Sequence, residues 1–316
     1  MTCRSRPIAR PLRWALLFNA VFSTFCALAL AAFADRLRPH LGDVPTVALQ
    51  ALAAGLAVFV ALLVWQAICD PPRLLWALLT IVADALWVLG SAVLLSLVGD
   101  RLSGLGVALV VTVAAVVAVS AALQWRGLQR VIRRPDPRLG TAHRYEVDVE
   151  VDVARERLWP VVADLGSIRD HGRSLTESFV EGGARPGLGA VRRCVNDQGR
   201  RWAEEVTGWR PEHGMEMRFL SDEASFPFPM DPMHGGWVLE ALGPERTRVT
   251  VWWAFTTKPA WAAPVIVPLM DAGLRRDMAA TVRSMAARAR APGAGPVAQP
   301  PSGRSASGPR KASSTP

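Results

Sequence analysis

The sequence predicts an N-terminal all-α membrane domain of four transmembrane helices, followed by a C-terminal α+β domain. The latter holds an antiparallel sheet of about seven strands and a long C-terminal helix. Four apolar runs occupy most of the first 125 residues, and each reaches the ~20 residues that cross a bilayer. After residue 142, apolar and polar residues alternate, which indicates strands. The last segment has apolar residues three and four positions apart, the period of an amphipathic helix.

The charge of the chain is unevenly distributed. Of the net charge of +9, residues 1–139 supply 13 arginines and six aspartates, whereas residues 140–290 carry 20 basic and 21 acidic side chains. Domains that bind nucleic acids concentrate positive charge on the contacting surface. Because the C-terminal domain is neutral, the sequence argues against a nucleic-acid partner. The four cysteines have no zinc or redox spacing, so we expect reduced, structural thiols.

The four apolar runs must form helices, because lipid offers backbone groups no hydrogen-bond partner. They follow a short N-terminal segment, 1–13, and give a membrane domain at 14–126. The runs are Trp14–Ala34, Val44–Cys69, Leu74–Gly99 and Leu102–Trp125.

The arginines that flank these runs predict the orientation. Ten lie on the side of the N-terminus and three on the other side, and such an excess marks the cytoplasmic side. We therefore expect a multi-pass protein of the cell membrane, a bacterial inner membrane, with both termini and the C-terminal domain in the cytoplasm. Ala32-Phe33-Ala34 also resembles a signal-peptidase site. Cleavage after Ala34 would leave three spans and the same cytoplasmic C-terminal domain.

Asp84 is the one charged residue inside the apolar runs. A carboxylate in a bilayer is costly and is often functional. The alternative is a protonated or hydrogen-bonded aspartate facing polar neighbours, with Asn19, Gln50 and Gln66 as candidates. The spans contain no basic partner and no charged pathway, which favours the alternative.

The C-terminal domain, predicted at 143–291, follows a basic linker at 127–142 that Pro135-Asp136-Pro137 stiffens. Residues 143–153 alternate strictly: Tyr145 and the valines lie on one face, and charged residues lie on the other. The acidic residues of this second face could suggest a metal or acid–base cluster. Residues along one strand do not converge on a point, however, so a solvated face is the better interpretation.

The spacing of apolar residues and the local composition also predict the remaining elements of the domain. A helix is predicted at 154–165, and an amphipathic helix at 263–291. The predicted stripe of apolar residues on this second helix consists of Ile266, Met270, Leu274, Met278, Val282, Met285 and Ala289. A Pro/Ser-rich tail at 292–316 should be disordered. Between the helices, short turns separate six strand-like runs, namely 175–181, 190–196, 201–209, 215–221, 236–242 and 246–257.

Residues 143–290 resemble the SRPBCC superfamily, which includes START-like, polyketide cyclase/dehydrase and lipid-transport proteins. The resemblance rests on four segments: Leu158-Trp159-Pro160-Val161-Val162-Ala163-Asp164, Pro186-Gly187-Leu188-Gly189, Trp202-Ala203-Glu204-Glu205-Val206 and Thr247-Arg248-Val249-Thr250. His171 departs from the pattern, since many relatives have tryptophan there, and 221–235 is an unusually long loop. The membrane half resembles no family.

The resemblance implies a helix-grip fold, in which the sheet curls around the C-terminal helix and leaves a hydrophobic cavity. The inward faces of the predicted strands and helix would line it for a lipid, polyketide or other apolar ligand. A filled core is the competing interpretation of the same pattern. The predicted lining residues are Trp202, Glu204, Val206, Met217, Phe219, Trp237, Trp253, Phe255, Met270 and Leu274.

Glu204 is the one weak candidate for a catalytic residue. It is in phase with Trp202 and Val206, so it should point inward, where a carboxyl group could act as an acid or base or orient a ligand. An internal ion pair, with Arg193 as one candidate, is equally consistent. No metal-ligand spacing, P-loop or nucleophile motif is present, and we expect no metal and no cofactor.

Three functions are compatible with these features. The leading hypothesis is a membrane-anchored protein that binds or transfers a hydrophobic small molecule next to the bilayer. The second is a cyclase/dehydrase-like or lipid-modifying enzyme that uses the same cavity, so enzymatic activity is left open. The third is a ligand sensor coupled to the membrane helices. The lipid bilayer and an apolar ligand are the expected partners, and the sequence identifies no protein partner.

Overall fold

The computed structural model describes residues 7–42 and 44–291, which form two compact units. The first unit holds the described residues up to Tyr145, together with Pro229–Pro232 and Trp253–Arg276. The second holds Glu146–Phe228, Met233–Trp252 and the described residues from Asp277 onward. The tail that the sequence predicts to be disordered, 292–316, lies outside the described residues.

Four helices, each long and apolar enough to cross a membrane, make up most of the first unit. They confirm the predicted all-α segment. α1 packs against α2 and α4, and α3 packs against α4. Their bounds are α1 Arg10–Leu37, α2 Thr46–Ile68, α3 Leu74–Val98 and α4 Gly104–Ile132.

The helices expose large apolar side chains outward and bury small or branched ones. Val21, Phe25, Leu86 and Leu97 are each more than 60% exposed, a distribution that suits helices surrounded by lipid. A buried cluster joins α1, α2 and α3, and it consists of Leu12, Leu16, Ala20, Leu63, Ala67 and Ala77.

Gly127 brings α4 against the backbone of α1. A Cβ atom added at Gly127 would lie 2.6 Å from Leu12 Cα and 2.8 Å from Leu12 N. Only glycine permits such an approach, which is typical of helix contacts in membranes. The spans contain no GxxxG motif, so the sequence pattern did not indicate this contact.

The sheet is antiparallel and has eight strands, one more than predicted, in the order β1-β2-β8-β7-β6-β5-β4-β3. The strands are β1 Arg133–Asp136, β2 Thr141–Val151, β3 Leu175–Val180, β4 Val191–Asn196, β5 Arg201–Arg210, β6 Gly214–Phe219, β7 Met230–Gly243 and β8 Arg246–Thr257.

The additional strand is β1, which lies where the sequence predicts a stiff linker. α4 continues to Ile132 and leads directly into β1, which pairs with β2 through Arg133↔His143 and Asp136↔Thr141. Pro135 cannot donate to a ladder, and such residues are tolerated in edge strands. Because proline usually marks the absence of a strand, the sequence pattern missed β1.

β7 begins six residues earlier than predicted. Pairs such as Met217↔Gly235 and Arg218↔His234 place residues 230–235 in the sheet, so the long loop is shorter than expected. Gly236 follows Gly235 directly, and a Cβ atom at Gly236 would come within 2.6 Å of Met215 O. Gly235 and Gly236 lower the strand propensity of this segment, which explains why the predicted start of the strand lies too far along the chain.

Two helices complete the fold: α5, Arg155–Ala163, and α6, Ala263–Arg290. In the second half of α6 the predicted stripe is buried at Met278, Val282, Met285 and Ala289. In the first half the buried positions are instead Ala263, Val267 and Asp271, and Ile266, Met270 and Leu274 are half-buried. The buried face is therefore shifted there by one residue from the predicted stripe.

Candidate functional site

A buried charged cluster lies where β4 and β5 pair. Arg192 and Glu204 are direct neighbours across the two strands, and only 5% and 3% of their surfaces are exposed. Glu204 Oε2 accepts a hydrogen bond from Arg192 Nη2, and Glu204 Oε1 accepts one from Trp202 Nε1 at 2.6 Å. Both carboxylate oxygens of Glu204 are thus engaged.

The partner of Glu204 is Arg192, so Arg193, the candidate from the sequence, is wrong. The register pairs Arg193 with Ala203, which places its side chain on the opposite face of the sheet. There its guanidinium contacts Glu223 at 3.0 Å and Glu181 at 3.4 Å. Two adjacent arginines hide the phase of a strand, and only the register with β5 decides which of them points inward.

The environment keeps Arg192 charged and leaves it one unused donor. Burial disfavours the charged guanidinium, but the adjacent Glu204 raises the pKa of Arg192 above its ordinary value. Arg192 Nε is buried and has no hydrogen-bond partner among the described residues. Buried donors are nearly always satisfied, so this N–H is a free position for an acceptor atom.

Cys194 lies next to this cluster, opposite Trp202 in the register. Burial raises the pKa of its thiol to about 11, and its Sγ lies 3.8 Å from Ser178 Oγ. A thiol that stays protonated at neutral pH is a poor nucleophile. The environment of Cys194 therefore fits the structural role expected from the sequence.

Four aromatic rings from β5, β6 and the following loop contact one another beside Glu204. Their centroids are 5.4 Å apart for Trp202 and Phe228, 5.3 Å for Phe226 and Phe228, and 6.3 Å for Phe219 and Phe226. All three pairs have the edge-to-face geometry that aromatic rings prefer. We call these four residues the aromatic cluster. Phe219 is also the direct neighbour of Glu204 across β5 and β6.

The ten predicted cavity residues fall into two groups. Trp202, Glu204, Val206, Met217, Phe219 and Trp237 belong to the second compact unit, and Trp253, Phe255, Met270 and Leu274 belong to the first. In the second unit, Val206 and Met217 are paired neighbours and both are buried. Phe226, Phe228 and Arg192 were missing from the prediction, because a loop has no period and the phase of β4 was ambiguous.

An open depression of about 450 Å³ lies elsewhere in the second unit. None of the ten predicted cavity residues lines it. Its walls carry mostly polar or charged side chains at one end of the sheet, and they are formed by Arg155, Arg210, His213, Val238, Leu239, Glu240 and Ala241.

Asp84 has polar partners on two other helices. Its Oδ2 accepts hydrogen bonds from Asn19 Nδ2 at 2.8 Å and from Gln124 Nε2 at 2.9 Å. Of the neighbours considered from the sequence, only Asn19 contacts it, because Gln66 pairs with Thr80 and Gln50 is exposed. The helix rotations that place Gln124 here cannot be read from composition. The geometry agrees with a hydrogen-bonded polar centre among the helices.

Asp271 forms a second polar centre that the sequence pattern did not indicate. Its Oδ2 accepts from Leu74 N at 3.2 Å, and its Oδ1 accepts from Tyr145 OH at 2.9 Å and Arg275 Nε at 2.8 Å. Burial is the main reason why the pKa of Tyr145 lies above its ordinary value. A charged residue in an apolar helical stripe usually faces solvent, which is why this one was missed.

His171, the departure from the family pattern, joins the segment after α5 to α6. Its Nδ1 lies 2.9 Å from Ser284 Oγ. Burial lowers the pKa of this imidazole from 6.5, with smaller effects from Asp170, Arg288 and Asp164. The folded state therefore takes up this proton less readily than the unfolded chain does.

We expect His171 to make stability fall with acidification. Because the unfolded chain takes up the proton at a higher pH than the folded chain, the contribution is complete above 6.5 and is lost as the pH falls below that value. Thermal unfolding of the full chain in detergent, followed from about pH 8 to about pH 5.5, measures this. His171→Gln should reduce the pH dependence, whereas the same change at the exposed His213 should leave it intact. Equal pH profiles for the two variants would contradict the assignment.

No cluster of three or more histidine, cysteine, aspartate or glutamate side chains suitable for a metal is found in residues 7–42 and 44–291. The acidic face of β2 is solvated: Thr250 Oγ1 donates to Asp148, and Arg248 pairs with Glu150.

The comparison with known families concerns the C-terminal part of the chain. Residues 142–290 match the family described as polyketide cyclase / dehydrase and lipid transport, and the helical N-terminal segment has no family. No curated protein matches the chain.

Several solved structures are similar to a little under half of the chain. The Zhui aromatase/cyclase from Streptomyces sp. R1128 is 19% identical, with 46% of this chain and 93% of that chain covered and a TM-score of 0.37. The di-domain ARO/CYC BexL from the BE-7585A biosynthetic pathway is 16% identical, with 45% and 46% covered and a TM-score of 0.38. The chain therefore spans about half the length of BexL.

Norcoclaurine synthase from Thalictrum flavum is 14% identical, with 46% of this chain and 84% of that chain covered and a TM-score of 0.37. The four segments noted in the sequence, the antiparallel sheet with its C-terminal helix, and the family match agree with one another. Residues 142–290 of this chain match the SRPBCC-type polyketide cyclase/dehydrase and lipid transport family, in agreement with the resemblance noted in the sequence.

Proposed function

We propose that this protein is anchored in the cell membrane by its four apolar helices and that its family domain binds or transfers a hydrophobic small molecule on the cytoplasmic side. The observation that carries the proposal is the charged pair Arg192–Glu204, buried directly beside the aromatic cluster. An apolar core needs no such pair, since replacing a buried ion pair by apolar residues is often neutral or stabilising. Its presence next to flat apolar side chains suits a site that orients a ligand.

The cluster supplies complementary contacts for such a ligand. The rings of Trp202, Phe219, Phe226 and Phe228 provide apolar faces, and Arg192 Nε is a free donor for a carbonyl, hydroxyl or carboxylate oxygen. Anchoring serves this function because an apolar ligand is concentrated in the bilayer and dilute in water. A tethered domain thus meets it at a high effective concentration.

Binding is tested on the full chain, purified in detergent and examined by native mass spectrometry with analysis of the extracted small molecules. We expect the unaltered chain to retain a bound apolar compound. The substitution Phe228→Ala should lower the amount of retained compound roughly tenfold, because the compound loses an aromatic contact and buried area. Phe179→Ala is the matched control, since Phe179 is exposed on β3 and should leave occupancy unchanged. An unaltered chain that retains no compound beyond bulk lipid would contradict the proposal.

The enzymatic alternative has one supporting observation, namely that Glu204 is buried beside polar partners. Both of its oxygens already accept hydrogen bonds, and this favours an orienting role over proton transfer. If Glu204 did catalyse a dehydration, Glu204→Gln would accumulate a ligand heavier by one water than that of the unaltered chain. The same ligand in both proteins is the result we expect.

The orientation is tested by reporters fused to the C-terminus. A cytoplasmic C-terminus gives a fluorescent protein that folds and an alkaline phosphatase that stays inactive. The opposite pair of results would contradict the orientation that the arginine excess predicts.

A further inference from the structure

The first half of α6, with the short 3-10 helix Ala260–Ala262 before it, presents apolar side chains to the outside. Trp261, Val265 and Leu269 are 79%, 47% and 56% exposed, and we call them the apolar stripe. They are four residues apart, so Val265 and Leu269 lie one above the other on the helix. Large apolar side chains grouped in this way mark an interaction surface.

The length of the segment limits what this surface can contact. Residues 259–270 contain no charged side chain, but twelve residues are too few to cross a bilayer and instead suit a buried or interfacial helix. The opposite face of the same turns is already buried at Ala263, Val267 and Asp271. The apolar stripe therefore remains for a partner outside the described chain.

Asp271 fixes this segment at one end of the apolar helices. Its Oδ2 accepts from the backbone N–H of Leu74, the first residue of α3. The adjacent end of α2 exposes Ile68, and α3 exposes Trp76 two residues after Leu74. Asp70, in the connection between α2 and α3, forms an ion pair with Arg13 of α1. Charged groups beside exposed tryptophan are typical of the boundary between lipid and water.

The exposed face of α6 changes in character along the helix. The exposed residues are apolar at 265 and 269, small at Ala272 and Gly273, and basic from Arg276 onward. The arginines continue at 283, 288 and 290. A face that is apolar at one end and basic at the other suits a membrane surface, where lipid accepts the first part and anionic headgroups attract the second.

We propose that the first half of α6 is an interfacial helix that inserts Trp261, Val265 and Leu269 into the boundary between headgroups and acyl chains of the cytoplasmic leaflet. This proposal rests on the proposed membrane anchoring and adds a second, in-plane contact with the same bilayer. Its partner is lipid, chosen because Asp271 ties α6 to the first residue of α3, and Ile68 and Trp76 are exposed on either side of that residue in the chain.

The full chain is tested in vesicles of phosphatidylethanolamine and phosphatidylglycerol that contain a phospholipid with a diazirine in its acyl chain. After irradiation, mass spectrometry locates the labelled residues. We expect labelling of the apolar stripe within a few-fold of that of Leu86 and Leu97 in α3, and at least about tenfold above that of residues 283–290.

The outcomes separate this inference from the anchoring. Labelled spans with an unlabelled stripe would overturn the interfacial helix and leave the anchoring intact. Unlabelled spans would overturn the anchoring and the inference together. If cross-linking instead joined the stripes of two chains and lipid did not label them, the partner would be a second copy and the inference would be wrong.

Leu269→Asp and Ala272→Asp form a matched pair, since both introduce a charge at an exposed position of α6. We expect Leu269→Asp to lower lipid labelling of Trp261 roughly tenfold, because a charge opposes insertion of the stripe. Ala272→Asp should leave labelling unchanged, and Leu97 should be labelled equally in both variants. Equal labelling of Trp261 in the two variants would overturn the inference.

Discussion

Arg192→Met is expected to destabilise the family domain by about 3–5 kcal/mol, because it leaves the Glu204 carboxylate buried without its cationic partner. For a unit of this size such a loss lowers the unfolding midpoint by about 10 °C. Thermal unfolding of the full chain in detergent, monitored by tryptophan fluorescence, measures the shift. Trp202 lies in the cluster itself and should report on its loss.

Arg193→Met is the control next to it in the chain. Its partners Glu223 and Glu181 are exposed or half-exposed, and surface pairs contribute only about 0–1 kcal/mol. The double change Arg192→Met with Glu204→Gln removes both charges and keeps an acceptor for Trp202 Nε1. It should recover most of the loss. Equal midpoints for Arg192→Met and Arg193→Met would show that the buried pair is absent.

Gly127→Ala is expected to disrupt the packing of α4 on α1. It should lower the free energy of unfolding by an amount near the upper end of about 1–3 kcal/mol. The added Cβ would meet the backbone of Leu12 at 2.6 Å, and a backbone cannot rotate away as a side chain can. The two helices must then separate. The measurement is again the unfolding midpoint of the full chain in detergent.

Gly90→Ala gives the matched comparison. An added Cβ at Gly90, within α3, meets nothing within 4 Å, and alanine favours a helix over glycine by about 0.5–1 kcal/mol. This variant should therefore equal or exceed the unaltered chain in stability. If Gly127→Ala unfolded at the same temperature as Gly90→Ala, the close contact of α1 and α4 would be wrong.

Features with a strong local period were predictable from the sequence. The apolar runs fix the four helices because each is long enough, and strict alternation at Tyr145, Val147 and Val149 fixes β2. Glu204 could be assigned to the inner face because Trp202 and Val206 bracket it at a period of two. In each case neighbours along the chain carry the information.

Features that depend on pairing between distant segments were not predictable. The side of the sheet on which Arg192 lies depends on the register with β5, and the contact of Gln124 with Asp84 depends on the rotation of two helices. β1 was hidden by Pro135, a residue that an edge strand tolerates. The aromatic cluster draws Phe226 and Phe228 from a loop, where no period marks a position as inward.

The boundary of the family match, residue 142, does not coincide with the boundary between the two compact units, because α6 contributes residues to both of them. The α6 residues up to Arg276 belong to the unit that contains the four apolar helices. The α6 residues from Asp277 onward belong to the unit that contains most of the sheet. Cutting the chain at the family boundary, residue 142, removes Leu74 and so takes from Asp271 the donor on its Oδ2. A chain that begins at residue 142 therefore lacks one of the hydrogen bonds that hold α6 in the full chain.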